Sequence, residues 1–201
     1  MRTRNKQNGQ SMVELALLFP FLLILLVATV EAGFALRDYL MVQSVNREGA
    51  RWAARTPPGE EYHDYFRGVK IPETFERVVS AGKEGGLDGN ELAVIVTHIS
   101  IDDAGIPTYD SYFTGTLPSG PIGSGDTRVN PVLISDQNAT KTANINLTRQ
   151  AGMYDPLENE IVIVEVFYNH KSLWFYDFVG PLGMDWVMYT QSTMRMVGTG
   201  R

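Results

Sequence analysis

The spacing of apolar residues predicts one long helix near the start of the chain. Residues 15–36 are twenty-two positions that contain a single charge, Glu31. About 20 apolar residues span a bilayer, so a membrane anchor is expected over about residues 12–34. Beyond it, apolar residues recur three or four positions apart, which is typical of an amphipathic helix. We therefore predict one helix over residues 10–55, whose soluble half covers about residues 35–55.

A mixed pattern follows and predicts a globular head over residues 60–201. Pro72 suits the first position of a helix, and residues 73–81 after it carry apolar side chains on one face. Four runs that are rich in β-branched residues or that alternate in polarity predict strands: residues 91–101, 106–113, 161–168 and 186–197. The first two are expected to form a hairpin and the last two to pair antiparallel, with 161–168 buried on both faces. The expected fold class is α+β, a long N-terminal transmembrane and spine helix followed by a head with an antiparallel sheet.

Two stretches are expected to depart from regular structure. Pro20 lies inside the anchor, where it removes one backbone hydrogen bond, and a kink with local unwinding is predicted there. Residues 114–130 contain several prolines and glycines and predict a long loop that is either mobile or a contact surface.

Composition narrows the range of functions. The chain has no cysteine, so neither a disulfide nor a thiolate site is expected. Its formal charge is −6, and loss of the three cations in residues 1–9 would make it −9, which argues against nucleic-acid binding. The three histidines are scattered, and no nucleophile elbow or phosphate loop is present. We expect no enzyme activity, no metal and no cofactor.

The first fourteen residues carry the most informative pattern. Residues 1–9 form a basic leader that contains three cations and no acid, which favours a cytoplasmic N-terminus. Gly9 has no side chain and therefore fits a narrow protease site, while Glu14 lies five residues further on at the start of the anchor. A carboxylate there is costly unless a partner neutralises it. The other interpretation of Glu14 is a charge that snorkels to the cytoplasmic interface of an ordinary signal anchor.

Four sequence elements together resemble the TadE-like family of minor pilins, which belong to the tight-adherence, Flp or type IVc pilus system. These elements are Gly9 before the cleaved bond, Glu14 at the fifth mature position, residues 30–34 (Val-Glu-Ala-Gly-Phe) and residues 47–54 (Arg-Glu-Gly-Ala-Arg-Trp-Ala-Ala). Residues 161–196 also resemble the family's C-terminal part.

The resemblance implies a mechanism and a set of partners. A prepilin peptidase would cut between Gly9 and Gln10, and Glu14 would pair with the new amino terminus during assembly. The protein would be held in the bacterial inner membrane with its head in the periplasm, and would help to initiate, cap or regulate a pilus. The implied partners are other minor pilins of the TadF and TadG type, the major Flp pilin, the inner-membrane assembly platform and membrane lipid.

Further residues of the long helix are candidates for contacts with neighbouring helices. They are Pro20, Glu31, Gly33, Arg47, Glu48, Gly49 and Arg51. Glu31 either marks where water begins or faces a partner helix. The arginines form either a solvated face or a contact row for the head's acidic surface, and Glu48 is spaced to pair with Arg51. Gly49 lowers helix propensity, which indicates close packing at that position.

A cluster of aromatic residues is the last candidate. Trp174, Phe175, Tyr176 and Phe178 lie within five positions and suit contact with a membrane or a partner, or else cover one edge of the core. The alternative function from a different class is an uncleaved, signal-anchored envelope protein whose head binds a partner and which has no role in a filament.

Overall fold

The computed structural model describes residues 7–56, 66–101, 107–129, 161–172 and 186–198. Its dominant element is helix α1, Gln7–Ala54, which is 48 residues long. The predicted long helix is therefore confirmed. The unwinding predicted at Pro20 is wrong, because α1 continues as an α-helix through that position.

A four-stranded sheet forms the centre of the head, in the order β3-β2-β6-β7, with every pair antiparallel. Its strands are β2 (Leu92–Ile101), β3 (Pro107–Thr114), β6 (Ile161–His170) and β7 (Trp186–Arg195). The predicted hairpin and the predicted pairing of the last two strands are both confirmed. The α+β fold class is confirmed with them.

Smaller elements complete the described part of the head. They are β1 (Arg55–Thr56), a π-helical turn (Phe66–Lys70), α2 (Ile71–Glu84), a 3-10 turn (Gly89–Glu91), β4 (Thr116–Leu117), β5 (Gly120–Pro121) and β8 (Val197–Gly198). β1 pairs in parallel with β8, and β4 pairs antiparallel with β5. Helix α2 confirms the short helix predicted after Pro72. It ends before Gly86, whose φ of 85° is a left-handed conformation that glycine adopts without strain.

One face of the sheet packs on the two helices. Alternate residues of β2 and β6, including Val94, Val96 and Val164, meet Val45 of α1 and Val78 of α2 in the main core. Alternate side chains of a strand point to the same face, so period-two alternation places these valines together. The soluble half of α1 is thus the spine of the head.

The opposite face of the sheet is covered by residues 114–129. Ile122 packs with Ile95 and Phe167, and Val129 packs with Ile99. Every residue of β6 is buried, so the prediction of a strand buried on both faces is confirmed. The described part of the predicted loop therefore covers the core and contains the short strands β4 and β5, while its role as a mobile or contact segment stays a prediction.

Candidate functional site

The N-terminal half of α1 is an exposed apolar rod. Its large side chains from Met12 to Leu26 are at least half exposed, and Val30 is 44% exposed. Among the described residues, this helix is the one that is long and apolar enough to cross a membrane. Exposed apolar surface of this length is unfavourable in water, and it is compatible with a single-pass membrane anchor.

The predicted cleavage position lies inside this helix. Gly9 and Gln10 both fall within α1, so the peptide bond between them is helical in the intact chain. The side-chain amide of Gln10 donates a hydrogen bond to Glu14 Oε1 over 3.2 Å, one helical turn away. Glu14, whose carboxylate would pair with a new amino terminus, therefore lies next to Gln10, the residue that would carry that terminus.

Two carboxylates of α1 lie close to one histidine at the point where the helix meets the base of the head. Nδ1 of His170, the last residue of β6, lies 2.9 Å from Asp38 Oδ2, and Nε2 lies 3.5 Å from Glu31 Oε1. All three residues are buried. We call this group the exit clasp. It places Glu31 against the head of its own chain, an arrangement that neither sequence interpretation anticipated.

Arg37 adds a second attachment beside the exit clasp. Its Nη2 donates to the carbonyl oxygen of Gly85 over 3.0 Å, and its Nη1 lies 3.8 Å from Asp38 Oδ1. At Gly33, no heavy atom of another described part of the chain lies within 4 Å of the position that a Cβ would occupy. Among the described residues, the helix is therefore bound to the head on one side and open at Gly33.

Gly49 is a point of close contact between α1 and α2. A Cβ at this position would lie 2.4 Å from Cγ2 of Val78 and 3.7 Å from Cγ1 of Val164. The absence of a side chain at Gly49 therefore lets α2 pack against the backbone of α1.

The polar residues near Gly49 face outward. Arg47, Glu48 and Arg51 are exposed, and they line a groove of about 490 Å³ between the helices together with Met41 and Ala81. Within the described ranges, no ion pair joins Glu48 to Arg51. These side chains are thus open to solvent among the described residues, and both interpretations of the arginines, a solvated face and a contact row, stay predictions.

Trp52 lies between two cations, an arrangement that the sequence analysis missed. The guanidinium carbon of Arg77 lies 3.4 Å from the ring centroid, and Lys70 Nζ lies 4.0 Å from it. Burial lowers the pKa of Lys70, an effect that the Glu73 carboxylate opposes. The cation–π contacts therefore join the soluble half of α1 to α2 and to the turn before it.

Glu165 is a fully buried carboxylate on the face of the sheet that residues 114–129 cover. The sequence analysis did not predict its role as the centre of a hydrogen-bond network. It accepts hydrogen bonds from the Thr127 hydroxyl at 2.5 Å, the Arg128 backbone N–H at 2.9 Å and the Tyr189 hydroxyl at 3.0 Å. Burial and the Glu165 carboxylate raise the pKa of Tyr189. The acid inside an otherwise apolar run was the available sequence signal. This carboxylate anchors the covering layer to the sheet.

The aromatic candidates Trp174, Phe175, Tyr176 and Phe178 lie outside the described residues. Within the described ranges, no group of three histidine, aspartate or glutamate residues is placed to hold a metal ion.

A family model matches the N-terminal part of the chain. No curated protein and no solved structure matches the chain. The family match ends at residue 51, so the C-terminal resemblance predicted over residues 161–196 lies outside it. Residues 9–51, which include the anchor, the exit-clasp carboxylates and the Gly49 packing site, match the family described as TadE-like protein, and the predicted resemblance is confirmed for this segment.

Proposed function

We propose that this chain is a minor pilin of a Flp or Tad-type (type IVc) pilus. The observation that carries the proposal is the division of α1 at Glu31, within the segment that matches TadE-like proteins. Up to that residue the helix is an exposed apolar rod, and beyond it the helix is the spine of the head. A subunit built in this way presents an apolar helix to other helices while it carries a folded head.

The proposed mechanism begins with removal of the leader after Gly9 by a prepilin peptidase. Cleavage frees an amino group on Gln10, whose side chain already lies 3.2 Å from the Glu14 carboxylate. Pairing this carboxylate with an amino terminus neutralises two charges that are costly in a membrane. Only one register of neighbouring helices brings the Glu14 carboxylate to an amino terminus. Glu14 thereby selects correctly docked subunits.

The proposed role is non-catalytic and consists of helping to initiate, cap or regulate the pilus. The proposed partners are other minor pilins, the major Flp pilin, the prepilin peptidase and the inner-membrane assembly platform. The open side of α1 at Gly33 supports packing of a partner helix, because a glycine that no other described residue covers permits close approach. The head is proposed to face the periplasm.

An uncleaved, signal-anchored binding module is the second candidate. The observation in its favour is that α1 runs unbroken through Gly9 and Gln10. A protease needs an extended substrate, so this bond must unwind before it can be cut. The two candidates differ in their N-termini and in their dependence on Glu14.

The test is complementation of cells that lack the native chain with a Glu14→Gln variant. We expect the variant to lose its leader normally but to give no surface filaments, because the glutamine carries no charge to pair with the amino terminus. Glu48→Gln is the matched control, since Glu48 is an exposed carboxylate of the same helix outside the apolar rod, and it should give normal filaments. Normal filaments with Glu14→Gln would contradict the mechanism.

A further inference from the structure

The apolar outer face of α1 extends past the point where the head begins. Phe34, Leu36, Tyr39 and Leu40 are 38%, 59%, 41% and 55% exposed. We call these four residues the collar. They continue the exposed apolar surface of the helix as far as Leu40, which lines the groove beside α2.

The charged residues at the same level are turned toward the head. Glu31 and Asp38 are buried against His170 in the exit clasp, and Arg37 donates to the carbonyl of Gly85. Because these two acids are buried against His170, neither of them adds an exposed carboxylate at the level of the collar. Arg37 is half exposed, and its guanidinium suits contact with phosphate groups at a membrane surface.

The length of the helix sets the depth of the collar. With Glu14 at the inner boundary of a hydrocarbon core of about 30 Å, a rise of 1.5 Å per residue brings the outer boundary to about residue 34. The interfacial region adds several ångströms on that side, which extends to about residue 40. Phe34 and Leu36 would then lie at the edge of the acyl chains and Tyr39 among the headgroups, where aromatic residues are enriched.

We propose that the collar binds the lipid leaflet on the head's side, so that the base of the head rests on the bilayer and does not stand away from it. This inference rests on the membrane anchor of the proposed function and adds a second lipid contact to it. The exit clasp makes the contact possible, because it keeps two carboxylates out of the leaflet. The occupant is the boundary between phospholipid headgroups and acyl chains.

The experiment uses the absence of cysteine from the chain. Single variants Leu22→Cys, Leu36→Cys, Leu40→Cys and Glu48→Cys of the full chain are reconstituted into vesicles of phosphatidylcholine with a minor fraction of phosphatidylglycerol, at about one chain per vesicle. Each is treated with a membrane-impermeant maleimide from the side of the head. All four positions are exposed on α1, so the substitutions leave the core intact.

We expect loss of labelling at Leu22→Cys, Leu36→Cys and Leu40→Cys and full labelling at Glu48→Cys. A fluorophore on Leu40→Cys should also be quenched by nitroxide-labelled headgroups, and one on Glu48→Cys should not. Full labelling at Leu36→Cys and Leu40→Cys with protection at Leu22→Cys would overturn the inference about the collar. That result would still agree with the membrane anchor. Protection without headgroup quenching would also overturn it, since another protein surface would then cover the collar. Labelling at Leu22→Cys would contradict the membrane anchor of the proposed function.

Discussion

Gly49 offers the sharpest test of how α1 packs in the head. A Cβ at this position would lie 2.4 Å from Cγ2 of Val78, which is 1% exposed. Val78 is β-branched and lies in a helix, so its side chain has one strongly preferred rotamer and cannot easily turn away. Thr74 and Val164 lie close on the remaining sides. Gly49→Ala therefore forces the two helices apart.

The magnitude follows from two opposing effects. Glycine to alanine in a helix gains about 1 kcal/mol of helix propensity, whereas overpacking a core costs about 1–3 kcal/mol. With a contact this short, the upper part of that range applies, and Gly49→Ala should lower the free energy of unfolding by about 1–2 kcal/mol. In a Val78→Ala background the clashing methyl is gone, so the same substitution should instead stabilise the head by up to about 1 kcal/mol.

The assay is equilibrium urea unfolding of the full chain in detergent micelles, followed by tryptophan fluorescence. Gly33→Ala is the matched control, because no atom from elsewhere in the described ranges lies within 4 Å of its Cβ position, and it should not lower the free energy of unfolding in either background. The reversal of sign at Gly49 is the decisive result. Equal stabilisation by Gly49→Ala in both backgrounds would refute the packing of α2 on this glycine.

The remaining predictions concern the buried polar groups. Glu165→Gln should lower the free energy of unfolding by about 2–4 kcal/mol in the same assay, because an amide can no longer accept from all three donors. Thr127→Ala removes one donor and should lower the free energy of unfolding by less. Equal losses in the two variants would contradict this account. The raised pKa of Tyr189 means that its contribution to stability is full below the ordinary phenol pKa of 10.0 and is lost as the pH rises above it. The free energy of unfolding, measured across this pH range, should fall less with rising pH in Tyr189→Phe than in the unchanged chain. An equal fall in both would contradict the contribution assigned to the Tyr189 hydroxyl. His170→Ala should lower the free energy of unfolding by about 1–3 kcal/mol and expose the base of the head to limited proteolysis, because it removes the hydrogen-bond partner of the buried Asp38 carboxylate. Asp38→Asn added to it should recover part of the loss, and no recovery would count against the exit clasp.

The main elements could be predicted because each has a strong local pattern. The apolar spacing of α1, the proline in the first turn of α2 and the β-branched runs of β2 and β6 act over short stretches of chain. Pro20 is the exception, because a proline predicts a break, whereas one missing hydrogen bond leaves α1 helical.

The polar contacts could not be predicted, because they join distant parts of the sequence. His170 and Asp38 are 132 positions apart, and Thr127 and Glu165 are 38 apart. Their meeting depends on where β6 ends along α1 and on how residues 114–129 fold over the sheet. Neither is encoded in a local pattern, and the glycine- and proline-rich composition of that layer gave no sign that it covers a core.

The central claim, a cleaved minor pilin, is tested most directly by the intact mass and N-terminal sequence of the protein from its native membrane, beside a Gly9→Ala variant. We predict that the native chain begins at Gln10 and that the variant keeps residues 1–9. A native chain that keeps its leader in the membrane would contradict the claim and favour the uncleaved anchor.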